Sequence, residues 1–464
     1  MKLIKSMLND KSFLKKTLQL TIPVTLQNLL NNLLNLIDTL FIAQLGETEV
    51  GAVGLANKVF FVFTLLMFGF SSGAGILASQ YYGKKDMLNI KRALRISLIL
   101  GVSGSFLFLI PGLFFPELVM RIFTPQQEMI TIGASYLVVI AISYPITAIT
   151  NSHIAILRSM NYVKVPMLIT TLAIGVNVVL NYGFIFGNLG LPELGAAGAA
   201  IATVIARIVE LALLLFIIHK KKPGDNSVGD FIHTRYRKEE GDKTPFVNKE
   251  FISKYFSTGS AVILNEFLWG LGVTMYSLVY GRMGESATAA ITMTSTADQL
   301  VMVFFFGVCS ASAVILGNEL GANNLHRAKE LARNYIVFQV MIASIGTVLT
   351  LILRDAITSI FPASPLVEGY IRACITVLAF YIPIRALCTL FNIAILRCGG
   401  DTKAALFIDV SGVWLIGIPL AVISGLVLEL PIYVVYAMVM IEEIYKMVLG
   451  YIRYRKNKWL RNII

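Results

Sequence analysis

Charge is what this 464-residue chain has least of: 14% of it is Asp, Glu, Lys or Arg, against about a quarter in soluble domains. With 56% hydrophobic residues, so little charge excludes a water-soluble fold. Histidine is scarcer still. The four, His153, His219, His233 and His326, are scattered, three of them in segments between apolar runs. No nucleophile with a nearby base, no metal cluster and no pair of catalytic carboxylates emerges, so an enzyme is not expected. Cys309, Cys374, Cys388 and Cys398 lack paired spacing and lie in or near apolar runs. They read as small packing residues, not as a disulfide framework or metal motif. No resident cofactor is expected. The amino end, MKLIKSMLNDKSFLKK, has no small-residue cleavage site, so the first apolar run is expected to be retained.

Long apolar runs are abundant. They fall near 18–45, 51–79, 94–116, 132–157, 166–187, 196–218, 255–281, 289–318, 332–353, 370–396, 405–427 and 431–450. Each is about the 20 residues that cross a ~30 Å hydrocarbon core. The chain is therefore an all-α integral membrane protein with about twelve spans. Its net charge of +12 follows topology and not a nucleic-acid surface. Of 39 Lys and Arg, 32 lie at the termini or after even-numbered spans, including five at the amino end and six from Lys446 to Arg461. The opposite loops hold only Arg121, Arg282, Arg354 and Arg372. Basic residues stay cytoplasmic on insertion, so both termini are expected in the cytoplasm and the protein in the cell membrane.

The halves resemble each other. FGFSSGAGILASQYYG (68–83) lies over FGVCSASAVILGNELG (306–321) at an offset of 238, with Phe68/Phe306, Gly69/Gly307, Ser72/Ser310 and Gly83/Gly321 in register. The same offset places Leu45-Gly46-Glu47 on Met283-Gly284-Glu285, and a shift of 239 brings Leu157-Arg158 onto Leu396-Arg397 and Lys164 onto Lys403. Six spans per half keep both copies in one orientation, so the repeat is parallel. The expected organisation is an amino-terminal lobe over 1–218, a polar cytoplasmic linker over 219–253 and a carboxy-terminal lobe over 254–464. Two similar bundles suit transport by rocking, although a structural membrane subunit would have the same outline.

Against this apolar background a few polar residues stand out. The first span, LQLTIPVTLQNLLNNLLNLIDTLFIAQL, carries Asn28, Asn31, Asn32, Asn35, Asp38 and Thr39 at steps of three and four, on one helix face. A charge at that depth costs about 3 kcal/mol or more and by default marks an ion or substrate pathway. The seventh span carries Asn265 and Glu266. Asp38 or Glu266 could exchange a proton or, with neighbouring amide oxygens, hold sodium; the bland alternative is a static ion pair with Arg385, Arg207 or Lys58. Asp298 and Asp409 fall nearer the headgroup boundary. Asn177 and Asn181, at i and i+4 of the fifth span, share a face and offer amides to a cavity or to interhelical hydrogen bonds. Gly195 and Gly198 let two helices approach closely.

The fifth and sixth spans together read N-x-x-x-N-x-x-x-I-F-G-x-x-G-x-P-x-L-G-x-x-G-A-A-x-A-T over 177–203. This wording resembles the corresponding segment of the multidrug and toxic compound extrusion (MATE) transporters. Agreement extends to Asp38 in IDTLFIAQLG, to Leu157-Arg158, to Leu396-Arg397-Cys-Gly-Gly-Asp-Thr-Lys and to Gly317-Asn-Glu-Leu-Gly321, and it covers essentially the whole chain. The resemblance implies two pseudo-symmetric six-helix bundles facing a cleft, alternating access, and secondary-active export of cationic or amphipathic organic compounds against entering protons or sodium. It assigns cation coupling to Asp38, Asn177, Asn181 and Glu266, with sodium a candidate ion at Asp38 or Glu266. Asn35, Asn151, Asn265 and Arg385 are assigned to the substrate cleft. Two departures stand out: Asn181 replaces an aspartate of some members, and Arg385 lies where the sodium-coupled branch has an aspartate. Pro23 would let the first span bend. The expected partners are small substrates and the lipid bilayer, with no nucleic acid, and the expected state is a monomer. The alternative function is a flippase for lipid-linked sugars or other anionic lipids, with Arg385, Arg207 and Lys58 as charge partners. A channel would need a pore-lining repeat, which is not evident.

Overall fold

The computed structural model describes residues 7, 9–220, 246–359 and 364–464, and among them every regular element is helical. The helices are α1 (Lys11–Ala43), α2 (Glu47–Gly83), α3 (Met87–Phe114), α4 (Gln127–Ala141), α5 (Ser143–Ser159), α6 (Lys164–Phe186) and α7 (Gly195–Lys220). The second half supplies α8 (Lys249–Arg282), α9 (Glu285–Gly321), α10 (Leu325–Ser359), α11 (Pro365–Leu396), α12 (Thr402–Val427), α13 (Ile432–Val439) and α14 (Ile441–Arg455). Among the described residues nine of these are long and apolar enough to span, and α4 with α5, bent by 46°, makes a tenth. The asparagines and glutamines along α1 lower its hydropathy, yet at 33 residues it is long enough to cross. With the broken α13–α14 pair, the twelve spans are accounted for. Of the expected linker over 219–253, residues 221–245 lie outside the described residues.

Short polar side chains start several helices by accepting otherwise orphaned backbone N–H groups. Asp10 accepts from Phe13 N at 2.9 Å, Asp86 from Asn89 N at 3.1 Å, Asn248 from Phe251 N at 2.9 Å and Ser364 from Val367 N at 3.4 Å. The internal repeat is visible in the backbone. Helices α2 and α9 are both 37 residues long. Positive φ recurs at Gly46 and Gly284 before them, at Lys85 and Asn323 after them, and at Asn161 and Gly400 further on.

The chain divides into two compact units: Leu26–Ile263, and Leu264–Ile464 together with the segment up to Thr25. Both crossings fall inside a helix, α1 and α8, at positions 238 residues apart. This differs from lobes bounded at 218 and 254, for a physical reason. The start of α8 packs on α2: Tyr255 OH donates to Phe70 O at 2.8 Å, Tyr81 stacks on Phe251 at 5.9 Å, and a Cβ on Gly73 would lie 2.9 Å from the Gly259 Cα. The start of α1 packs on α10 in the equivalent way. Thr17 and Tyr335 hydroxyls are 3.0 Å apart, Phe13 meets Tyr335 edge to face at 4.9 Å, and Arg327 pairs with Asp10 at 2.7 Å.

Each unit has its own apolar core. In the amino-half unit Phe63, fully buried, stacks on Tyr144 at 4.8 Å. In the other, Ile371, Cys374, Ile375 and Leu378 are fully buried. All four cysteines are buried.

Candidate functional site

Helix α1 turns the last part of its polar face, and not Asn28, Asn31 or Asn32, into a cavity of about 520 Å³ within the amino-half unit. Asn35, Asp38 and Thr39 line it from α1, Asn57, Phe60 and Phe61 from α2, Tyr136 from α4, Thr170 and Asn177 from α6, and Thr203 and Arg207 from α7. The wall is thus aromatic and aliphatic, with a few convergent polar groups, the usual make-up of a small-molecule site.

On its wall the Asp38 carboxylate accepts a hydrogen bond from Asn181 Nδ2 at 2.6 Å. The same amide nitrogen donates to Asn177 Oδ1 at 2.9 Å, and Asn177 Nδ2 donates to Thr203 Oγ1 at 3.2 Å. Asn177 and Asn181 are 1% and 0% exposed, so the i,i+4 spacing on α6 does place both amides inward. With both amide hydrogens of Asn181 engaged, its Oδ1 is buried without a hydrogen-bond partner. A buried amide oxygen without a partner, on a residue whose nitrogen contacts a carboxylate, leaves unmet acceptor capacity next to Asp38. Close contact of α6 and α7 makes the arrangement possible: a Cβ on Gly198 would lie 2.7 Å from the Phe184 carbonyl carbon.

Beside this cluster runs a buried polar ladder. Arg158 Nη2 donates to Gln27 Oε1 at 2.6 Å, Gln27 Nε2 to Thr170 Oγ1 at 2.8 Å, and Thr170 Oγ1 to Glu210 Oε1 at 2.8 Å. Arg207 Nη1 then pairs with Glu210 Oε2 at 2.7 Å. Gln27, Thr170 and Glu210 are each 3% exposed or less.

The other unit holds a second polar cluster. Asn265 Nδ2 donates to Asp409 Oδ2 at 3.0 Å, and Lys446 Nζ, with only 2% of its side chain exposed, lies 3.2 Å from Asp409 and 3.3 Å from Glu442. Tyr276 OH donates to Glu442 Oε2 at 2.6 Å. Arg385 is ion-paired with Asp298, and Arg397 Nη2 donates to Glu266 Oε1 at 2.9 Å.

The expected site residues therefore separate. Asp38, Asn177 and Asn181 meet, and Asn35 lines the same cavity. Asn151, on α5, is half-buried and does not line it. Glu266 is ion-paired, and its partner is Arg397 and not Arg385, Arg207 or Lys58. Asn265 Nδ2 is engaged with Asp409, leaving its Oδ1 buried without a hydrogen-bond partner, and Arg385 is paired with Asp298. Lys446, read from the sequence as part of the cytoplasmic basic tail, lies inside the bundle. Its buried state follows from Glu442 and Glu443, one turn earlier on the same helix face. That spacing was the available signal.

Two all-helical units of spanning length, one enclosing a chamber with an acid on its wall, define a multi-pass membrane transporter. The family model described as MatE matches residues 23–183 and 261–423, and the chain belongs to that family, the multidrug and toxic compound extrusion transporters. Similar proteins include a Bacillus subtilis uncharacterized transporter, YisQ, 23% identical over 91% of this chain and 90% of the relative. A Thermotoga maritima probable multidrug resistance protein NorM is 22% identical over 92% of this chain and 89% of its own length. Among solved structures, a Vibrio cholerae MATE transporter VcmN variant superposes with a TM-score of 0.85 at 17% identity, covering 97% of this chain and 98% of that one. A MOP superfamily transporter from Pyrococcus furiosus gives 0.82 at 20% identity, covering 96% and 95%. At such identities these structures establish the fold, a twelve-helix one.

Proposed function

We propose that the protein is a secondary-active exporter of cationic or amphipathic organic compounds, driven by entry of a monovalent cation, proton or sodium, through the amino-half chamber. The observation that carries this reading is the Asp38 carboxylate on the wall of an aromatic cavity, joined through Asn181 to Asn177 and accompanied by a spare buried amide oxygen on Asn181. In one state the chamber releases its guest outward and Asp38 takes up the cation, with Asn177, Asn181 and Thr203 supplying oxygens. The loaded site then favours the opposite state, where the cation leaves and a new guest enters. Coupling requires only that cation and guest bind the two states with different affinity. Glu266 takes no part in this cycle, because Arg397 holds it. The protein acts as a monomer in the cell membrane with both termini in the cytoplasm, as the basic-loop pattern supports. The flippase alternative is the less favoured reading: of its three charge partners, Arg385 and Arg207 are already paired with Asp298 and Glu210, which leaves Lys58 to serve an anionic lipid.

The test is reconstitution into vesicles with a cationic dye, imposing a proton or a sodium gradient separately. One gradient is expected to drive dye movement, and Asp38→Asn is expected to abolish the driven component while leaving the folded protein intact. Unchanged transport by Asp38→Asn under both gradients would falsify the assignment.

A further inference from the structure

The amino-half site and the carboxy-half cluster share one chemical motif. In the first, Asp38 accepts from the amide nitrogen of Asn181, whose own Oδ1 is buried without a hydrogen-bond partner. In the second, Asp409 Oδ2 accepts from Asn265 Nδ2 at 3.0 Å, and Asn265, 3% exposed, likewise keeps a buried Oδ1 with no partner. What differs is the space beside the acid. Asp38 lines the chamber, whereas Asp409 faces the Lys446 ammonium. Lys446 Nζ lies 3.2 Å from Asp409 Oδ1, 3.3 Å from Glu442 Oε1 and 4.0 Å from Glu443 Oε1. An ammonium is a compact point charge with three donors and no acceptor, so one nitrogen among carboxylate oxygens holds the place of a bound monovalent ion.

The backbone is shaped to this arrangement. Over Gly412–Gly417 helix α12 widens into π-helical turns, a distortion that recurs at functional sites. Both ends of the stretch are glycine for want of room. A Cβ on Gly412 would lie 2.5 Å from Lys446 Cε, and one on Gly417 would overlap the Tyr276 hydroxyl and the Glu442 carboxylate. Tyr276 stands where the 238-residue repeat matches Asp38, and its hydroxyl donates to Glu442 Oε2 at 2.6 Å. At the register of the amino-half acid the carboxy half thus carries a hydroxyl donor, and the acids around Lys446 come from α12 and α14. Arg385, within electrostatic reach of Glu443, is taken by Asp298.

We infer that the carboxy half contains a monovalent-cation site whose occupant is tethered: Lys446 Nζ fills the space among Asp409, Glu442 and Glu443, beside the amide of Asn265, that would otherwise take a small metal ion such as sodium. The inference goes beyond the exporter reading and does not depend on it. Oxygen-rich surroundings with more acids than bases are what a hard cation seeks. Because this occupant is part of the chain, it cannot leave, and that half draws no metal ion from solution whatever drives the cycle.

The test removes the tether and offers an ion in its place. Lys446→Met keeps the aliphatic stem and vacates the position of Nζ. It is made in an Asp38→Asn background, so that no ion effect at the amino-half acid enters. Thermal unfolding of the purified protein in detergent is followed at equal ionic strength in sodium chloride and in N-methyl-D-glucamine chloride, whose cation is too large for the site. For Lys446→Met the unfolding midpoint is expected to rise by about 3–5 °C in sodium, the mass-action effect of filling one site. Two controls are expected to show no sodium-specific rise. One is the same background with Lys446 intact, where the site is full; the other is Lys446→Met with Asp409→Asn and Glu442→Gln, where the acids are neutralised. A Lys446→Met protein that unfolds at the same temperature in both salts, or that is folded in neither, overturns the inference and leaves Lys446 an ion-pair partner only. A sodium-specific rise of the same size in either control overturns it equally.

Discussion

Glu266 accepts from Arg397 at 2.9 Å in the place where, one repeat earlier, Gln27 accepts from Arg158 at 2.6 Å. Both partners are displaced by the same 239 residues. The correspondence continues inward. Thr170, the next rung after Gln27, corresponds to Asp409, which Asn265 reaches, and Glu210 with Arg207 corresponds at a shift of 236 to Lys446 with Glu443. Each unit thus holds counterparts of the same rungs, with the signs of the last two exchanged, although in the carboxy half it is Asn265, beside Glu266, that reaches Asp409.

If the bond to Arg397 is a structural brace, an amide suffices on the acceptor side, as Gln27 already demonstrates. Glu266→Gln is expected to keep cation-driven transport and to cost no more than about 1 kcal/mol in stability, the worth of an ordinary hydrogen bond. Arg397→Ala leaves Glu266 largely buried with no counter-charge and is expected to cost about 3 kcal/mol or more. Thermal unfolding in detergent and vesicle transport check both; loss of ion coupling in Glu266→Gln with stability intact would return this glutamate to the coupling machinery.

Lys446 is the cation on which the carboxy-half cluster depends, facing Asp409, Glu442 and Glu443 within 4.0 Å. Lys446→Met retains the aliphatic stem and deletes the charge, leaving three acids to repel one another in a bundle interior. A loss of about 3–5 kcal/mol is expected, with a substantial part recovered when Asp409→Asn and Glu442→Gln are added. A single variant that unfolds at the wild-type temperature contradicts this account.

The spans, the repeat and the Asp38 cluster were legible in the sequence because each has a local signature. Apolar runs announce membrane length, Asn177 and Asn181 share a face by spacing alone, and Asp38 is conspicuous against a run of leucines. The ladders were not legible, since the repeat preserves their positions and not their chemistry. Thr170 opposite Asp409, or Glu210 opposite Lys446, shows no similarity to align, and only packing reveals that each fills the same rung. The unit boundaries were hidden for a related reason. A helix that leaves one unit midway has no break in hydropathy at Thr25 or Ile263, so polar linkers pointed to 218 and 254 instead.

Close contact between α6 and α7 holds Asn177 against Thr203. At Gly198 the obstacle to a side chain is the Phe184 backbone, which cannot rotate away as a side-chain tip would. Gly198→Ala is expected to cost about 1–3 kcal/mol as the helices separate, and to lower transport beyond the loss of folded protein because Thr203 leaves Asn177. Gly175→Ala, on the same helix as Asn177 but with open space where its Cβ would stand, is the control and is expected to behave as wild type in unfolding and in transport per folded molecule.

Asn181 offers the most direct test of how the chamber attracts its cation. Asn181→Asp replaces an amide donor 2.6 Å from the Asp38 carboxylate with a second negative charge of nearly the same shape. Two carboxylates that close repel strongly unless a cation lies between them, and their mutual energy falls steeply when one is bound. The empty site is therefore destabilised while the loaded site gains a ligand, and both effects favour occupancy. The driving cation's half-saturating concentration in vesicle transport is expected to fall by about tenfold, equivalent to about 1.4 kcal/mol of added attraction. Protein unfolding should show the corresponding dependence: little stability without the cation and a pronounced rise as it is added. A variant with unaltered cation dependence would mean that the ion does not visit this pair, and that Asn181 only orients Asp38.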